Sequence, residues 1–229
     1  MLKEKNGHRH MDDSKECIPH APKVAIVYFS YSCQTAKLVK AIKEGLEENG
    51  VEVISQRIYP KEKLFFPFKN SIETLYMMFK TFFRVRMEIE DMDLDFLHDT
   101  DVVILGGPTW SYNPSGPILF FLDKYGHLLA EKQVIPLISC RKYWKHHYRY
   151  LRKRLATLGA IVNDPWVFDH KVKDEPWSAI GTFLTLAGKN PKHSPFMRRH
   201  YPKYGHSKEA FERAHQLAAI LAKKLTNKK

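Results

Sequence analysis

Pro22-Lys-Val-Ala-Ile-Val-Tyr-Phe-Ser-Tyr-Ser-Cys-Gln-Thr-Ala-Lys-Leu-Val-Lys-Ala-Ile-Lys-Glu-Gly-Leu46 is the stretch on which the fold turns. The unbroken apolar run from Val24 to Phe29 has the length and composition of a buried strand. A hydroxyl-rich turn follows, with Ser30, Ser32 and Thr35. Leu38, Val39, Ile42 and Leu46 then recur at helical spacing. A strand, a polar turn and a helix can hold a phosphate. The turn offers hydroxyls, and the helix start offers unpaired amides and the positive end of its dipole. The same hydroxyls serve equally as caps of an ordinary helix, so on these residues alone both readings stand.

Asn49-Gly50 supplies a helix stop, and Val51–Ile58 reads as a second strand, which makes a parallel βαβ unit. Further on, Asp101–Gly107 is a strand ending in a glycine pair. Pro108–Pro117 is a turn-rich loop, and Ile118–Tyr125 is a helix. Gln133–Ser139 gives a fourth strand. The basic run Arg141–Arg154 leads into a helix closed by Leu158-Gly159, and Ala160–Phe168 gives a fifth strand. Strands alternating with helices predict an α/β three-layer sandwich with a five-stranded parallel sheet. Ser207–Leu225 is an amphipathic terminal helix.

Two segments interrupt this rhythm, at about 60–99 and 169–206. In the first, Asn70 and Glu73 form a variant capping box. Ile72, Leu75, Tyr76, Phe79, Phe82 and Phe83 then lie on one helical stripe, which is expected to pack on the protein's own core. A substrate lid, a dimer surface or a membrane-touching patch aided by Lys80, Arg84 and Arg86 are the other readings. The second segment is expected to be an irregular, partly helical excursion.

The length of 229 residues fits one domain, taken as 22–229, behind a polar, disordered tail at 1–21. His8, His10, Cys17 and His20 in that tail have no metal-site spacing. Three cysteines make no disulfide framework and fit a reducing cytoplasm. The N-terminus has no secretory h-region, and no apolar run approaches the roughly 20 residues of a membrane span. A net charge of +12 suggests an anionic partner: a phosphorylated cofactor, an acidic protein, a membrane surface or nucleic acid. No nucleic-acid-binding motif accompanies it.

The chain resembles the flavodoxin-like family over about 23–58, 100–168 and the final helix. Tyr28-Phe-Ser-Tyr-Ser-Cys-Gln-Thr35 is similar to the family's FMN phosphate loop, with Cys33 where many members carry Gly. Gly106-Gly-Pro-Thr-Trp-Ser-Tyr-Asn113 is similar to the second flavin loop, and Ser139-Cys-Arg-Lys-Tyr-Trp144 falls where the third should be. The second loop and its Phe-Leu-Asp helix look more like NAD(P)H-linked flavin oxidoreductases than like small electron-carrying flavodoxins. The resemblance implies sheet order 2-1-3-4-5, with the ligand at the carboxyl ends of strands one, three and four. It implies phosphate contacts from Ser30, Tyr31, Ser32, Cys33, Gln34 and Thr35. It implies ring contacts from Pro108, Thr109, Trp110, Ser111, Tyr112 and Asn113, and from Cys140, Arg141 and Tyr143. Trp110 would stack on the flavin, and Tyr112, Tyr143 or Trp144 would cover another face.

The leading expectation is thus an FMN-dependent oxidoreductase passing electrons from NAD(P)H to a quinone-like or other small acceptor, with a homodimer as one assembly it allows. The alternatives are a non-catalytic electron carrier that docks on a redox partner, and a flavin-free interaction module.

Overall fold

The structure, a computed structural model, describes residues 21–170, 176–201 and 204–227. The expected tail and its histidines therefore lie, but for Ala21, outside the described residues. In chain order, β1 is Lys23–Tyr28, α1 Gln34–Glu47, β2 Glu52–Arg57 and α2 Ser71–Phe82. Then come β3 (Val102–Trp110), β4 (Asn113–Pro114), α3 (Gly116–Lys124), β5 (Gln133–Cys140) and α4 (Trp144–Thr157). The chain closes with β6 (Ile161–Val162), β7 (Trp166–Asp169), α5 (Trp177–Leu186), α6 (Pro195–His200) and α7 (Lys208–Thr226).

The sheet runs β2-β1-β3-β5 and ends in β6 and β7, which both pair parallel with β5. Those two pieces are one fifth strand with a break, so the order is 2-1-3-4-5. Gln133 faces Ile161 while Leu137 faces Trp166, so one extra residue is taken up between them. Pro165 lies in that gap and has no amide to donate to the ladder.

Successive strand residues point to opposite faces. Val24 and Ile26 join Leu38, Val39, Ile42 and Leu46 of α1 and Ala214, Ala218 and Ala222 of α7. Ala25 and Val27 join Ile118, Phe121 and Leu122 of α3 and Leu151 and Leu155 of α4. The result is the three-layer sandwich. Gly107 is required where α3 approaches β3, since a Cβ there would lie 2.8 Å from the Ile118 side chain.

The glycine pair does not end β3. The strand stays paired with β5 as far as Pro108 opposite Ser139, then folds back as a hairpin with β4, Trp110 facing Asn113. The two-residue loop is Ser111–Tyr112, with φ of 41° and 69°. Positive φ at both centres is what matches a tight hairpin to strand twist.

α2 corrects an expectation. Asn70 Oδ1 accepts from the Glu73 amide at 2.9 Å, and the Glu73 carboxylate accepts from the Lys69 amide at 2.7 Å, so the cap is as expected but shifted by one residue. The apolar stripe, however, faces outward: Ile72, Leu75, Tyr76, Phe79, Phe82 and Phe83 are 56–78% exposed. The buried residues are Thr74, Met77 and Thr81. Thr74 Oγ1 donates to the Asn70 carbonyl and Thr81 Oγ1 to the Met77 carbonyl, so each threonine hydroxyl is satisfied within the helix and can be buried. Met77 packs with Phe68 and Met87 in a small cluster apart from the two main cores.

Candidate functional site

Three turns stand at the carboxyl ends of β1, β3 and β5, the end of an open α/β sheet where ligands collect. The first follows β1. Cys33 adopts φ 60° and ψ 0°, the left-handed conformation that Gly would take without strain. Ser30 Oγ accepts from the Ala36 amide at 3.2 Å, and Arg57 Nη2 donates to the Ser30 carbonyl at 2.7 Å. Among the described residues, the amides of Tyr31 to Thr35 have no backbone acceptor. The first turn of α1 carries no acidic residue to offset the dipole. The turn therefore fits an anion.

Backbone strain is concentrated here. Six described non-glycine residues have positive φ, and four of them, Cys33, Ser111, Tyr112 and Tyr143, belong to these three turns. Such strain persists only where the surroundings enforce it, and it clusters at binding sites.

Tyr31, Thr109, Trp110, Ser111, Tyr112, Arg141 and Tyr143 line one cavity of about 210 Å³. Tyr31 meets Trp110 edge-on at 5.3 Å, and Tyr112 meets Tyr143 at 5.6 Å. α2 and α5 close the cavity from the other side with Met77, Met78 and Thr81, and with Ala179, Thr182 and Phe183. Tyr31 also stacks on Phe68 and donates to the Phe65 carbonyl at 2.6 Å. Burial pushes its phenol well above the ordinary value.

The remaining candidates lie around this cavity rather than on it. Ser30 and Thr35 are buried under the turn. Tyr204 donates its hydroxyl to Ser32 Oγ at 3.0 Å and stacks on Phe66. Gln34 Oε1 accepts from the His206 amide at 2.9 Å. Gly205 is required between them, because at its φ of 100° a Cβ would also meet Gln34 at 2.7 Å. Pro108 pairs with Ser139 inside the sheet. Asn113 is buried, and its Nδ2 donates to the Thr81 and Phe82 carbonyls at the end of α2. Its Oδ1 accepts from Arg84 Nε at 2.8 Å. Cys140 is buried as the last residue of β5, where burial pushes its thiol up to about 12. Trp144 turns toward Tyr148 and does not line the cavity.

Several residues of this region escaped the sequence reading. His147 Nδ1 lies 2.8 Å from Thr109 Oγ1, and burial pulls its pKa down to about 3. It sits in a run that looks like a solvated basic face. Its signal is periodic: His147, Leu151 and Leu155 recur every fourth residue and form the buried stripe of α4. His206 Nε2 lies 2.8 Å from Ser139 Oγ, and its ring meets that of His170 at 4.6 Å. Burial lowers these two to about 3 and about 4. No local pattern in 169–206 announces that Tyr204 and His206 return to β1 and β5.

No family model matches the chain. A curated relative, an NAD(P)H dehydrogenase (quinone) from Archaeoglobus fulgidus, is 29% identical over 118 residues, which cover 49% of this chain and 56% of the relative. The chain thus matches little more than half the length of that relative. A flavodoxin from the domain Archaea superposes with a TM-score of 0.51 at 16% identity, over 89% of this chain and 99% of its own. Oxidised Flavodoxin 1 from Bacillus cereus gives a TM-score of 0.50 at 16% identity, over 89% and 99%. In its layers, its strand order and these superpositions, the chain has the flavodoxin-like fold.

Proposed function

We propose that the protein is an FMN-dependent oxidoreductase that takes electrons from NAD(P)H and delivers them to a small, quinone-like acceptor. The observation that carries this reading is the convergence of three strained turns on one aromatic cavity. The name of the Archaeoglobus relative supports the donor and the acceptor class.

FMN supplies the hydride and electron chemistry when bound. The chain's own residues position it. The amides of Tyr31 to Thr35, with the Ser30, Ser32 and Thr35 hydroxyls, hold the phosphate. Cys33 and Gln34 shape the turn. Trp110 and Tyr31 wall one side of the ring. Backbone groups of 108–113 and 139–143 meet its polar edge, Cys140 among them. Arg141 and Lys142, both on the cavity, attract the phosphates of the nicotinamide donor. The cavity is below the roughly 300–1,000 Å³ of most ligand sites. Tyr112 and Tyr143, which are 48% and 46% exposed, therefore part to admit a tricyclic ring.

The test is the absorption spectrum of purified protein, then FMN titration and NAD(P)H oxidation with a soluble quinone. Yellow protein and quinone-dependent turnover are expected. Flavin binding without turnover selects the electron carrier. Ser32→Ala with Thr35→Ala should weaken FMN far more than riboflavin.

The Tyr204 hydroxyl on Ser32 favours a second reading, a flavin-free module whose own tyrosine occupies the turn. Tyr204→Phe separates the two. Tighter FMN binding in that variant supports a cofactor site with which Tyr204 competes. A colourless protein that leaves FMN fluorescence unquenched, with or without Tyr204, supports the module.

A further inference from the structure

We propose that α2 is a membrane-docking element that lies in the plane of an anionic lipid surface, with its apolar stripe among the acyl chains. The helix is turned inside out relative to a core helix. Ile72, Leu75, Tyr76, Phe79, Phe82 and Phe83 point away from the protein, and no described residue covers them. Phe65 and Phe66, just before the helix, are 66% and 40% exposed. Monomeric soluble proteins rarely leave so continuous an apolar patch bare. Twelve residues make a helix of about 18 Å, too short for a bilayer core of about 30 Å, so the helix lies on the surface.

Charge selects the occupant. Between residues 61 and 86 there are six Lys and Arg against two Glu. Lys63, Lys69 and Lys80 belong to the helix and its lead-in. α5, which packs against α2, and α6, which packs against α5, expose Trp177, Ile180 and Phe196 and carry exposed Lys189, Lys192, Arg198 and Arg199 nearby. No Asp or Glu occurs from Pro176 to Lys208. An aromatic and aliphatic face rimmed by cations matches an anionic interface. It matches a second copy poorly, because a two-fold contact sets each cation rim against itself. The inference does not depend on the redox reading, because docking needs no flavin.

The test is co-sedimentation of the full chain with vesicles of phosphatidylcholine alone or with about one third phosphatidylglycerol, at low and high salt. We expect binding to the anionic vesicles only, falling at least about tenfold between about 0.05 M and 0.5 M salt. Phe79→Asp with Phe83→Asp should weaken binding at least about tenfold. Lys63→Gln, Lys69→Gln and Lys80→Gln together should weaken it several-fold and flatten the salt dependence. Circular dichroism checks that each variant keeps its fold. Three results would overturn the proposal: no co-sedimentation, equal binding to neutral vesicles, or a lipid-free dimer in sedimentation velocity that Phe79→Asp converts to monomer. A colourless preparation that still binds vesicles counts against the cofactor and not against docking.

Discussion

α1 and α2 are amphipathic helices of similar length, and they are turned opposite ways. α1 lays Leu38, Val39, Ile42 and Leu46 on the sheet. α2 lays Thr74, Met77 and Thr81 against the protein and shows its aromatic stripe to the outside. Periodicity determines that a helix forms and which residues share a face. It does not determine which face the rest of the chain will cover. That depends on what is available to pack against. α1 follows β1 directly and lies over the sheet. α2 sits in an insertion beyond the edge of both main cores, with only a small cluster beneath it.

The difference can be broken most forcefully at the buried end. Leu38→Ala removes a fully buried side chain and should cost about 2–5 kcal/mol in urea unfolding. A loss below about 1 kcal/mol would mean that α1 is not the core helix described. α4 offers a subtler contrast, for it puts an imidazole where α1 puts leucine. The folded pKa of His147 is about 3, below its ordinary 6.5, so the unfolded chain takes up the proton first. Stability should be complete above pH 6.5 and fall toward pH 3, by on the order of a few kcal/mol, with His170 and His206 adding to the same trend. His147→Asn, which can still reach Thr109, should flatten that dependence. A stability independent of pH across this window would refute it.

Asn113→Ala sharpens the comparison from the other side. It takes a donor from the Phe82 carbonyl and an acceptor from Arg84 Nε, while the Thr81 carbonyl keeps the Arg84 amide, and it should cost about 1–3 kcal/mol. Hydrogen exchange should speed up in α2 while α1 stays protected. The smallest effect belongs to Phe79→Ala. Among the described residues its only ring contact is Phe83 at 4.6 Å, and stability should stay within about 0.5 kcal/mol of the parent. A loss above about 2 kcal/mol would show the stripe to be covered after all.

What the sequence made legible follows the same division. β1, α1, β5 and α7 were readable because each buries one clean apolar pattern, and β2 because it follows α1 after a glycine stop. The turn after β1 was readable as a strand-to-helix connection with Cys33 at a position where many relatives of this fold carry Gly, but the left-handed backbone of Cys33 came only with the structure. The hairpin β3–β4 was not, because Ser-Tyr is poor turn chemistry and only the surrounding packing holds it there. The covering of Ser32 by Tyr204 joins residues 172 positions apart and leaves no local trace. The orientation of α2 was open for the reason already given: its polar face hides threonines whose hydroxyls close on their own helix.

The fastening of α2 reaches beyond its own stability. Asn113 grips the last carbonyls of the helix and accepts from Arg84 just past its end, while Ser111 Oγ donates to the Met78 carbonyl. Helix and hairpin tip therefore shift as one body. Whatever leans on the exterior of that helix tugs the tyrosine at the cavity mouth, and whatever wedges the tyrosine aside is transmitted outward along the same bolts.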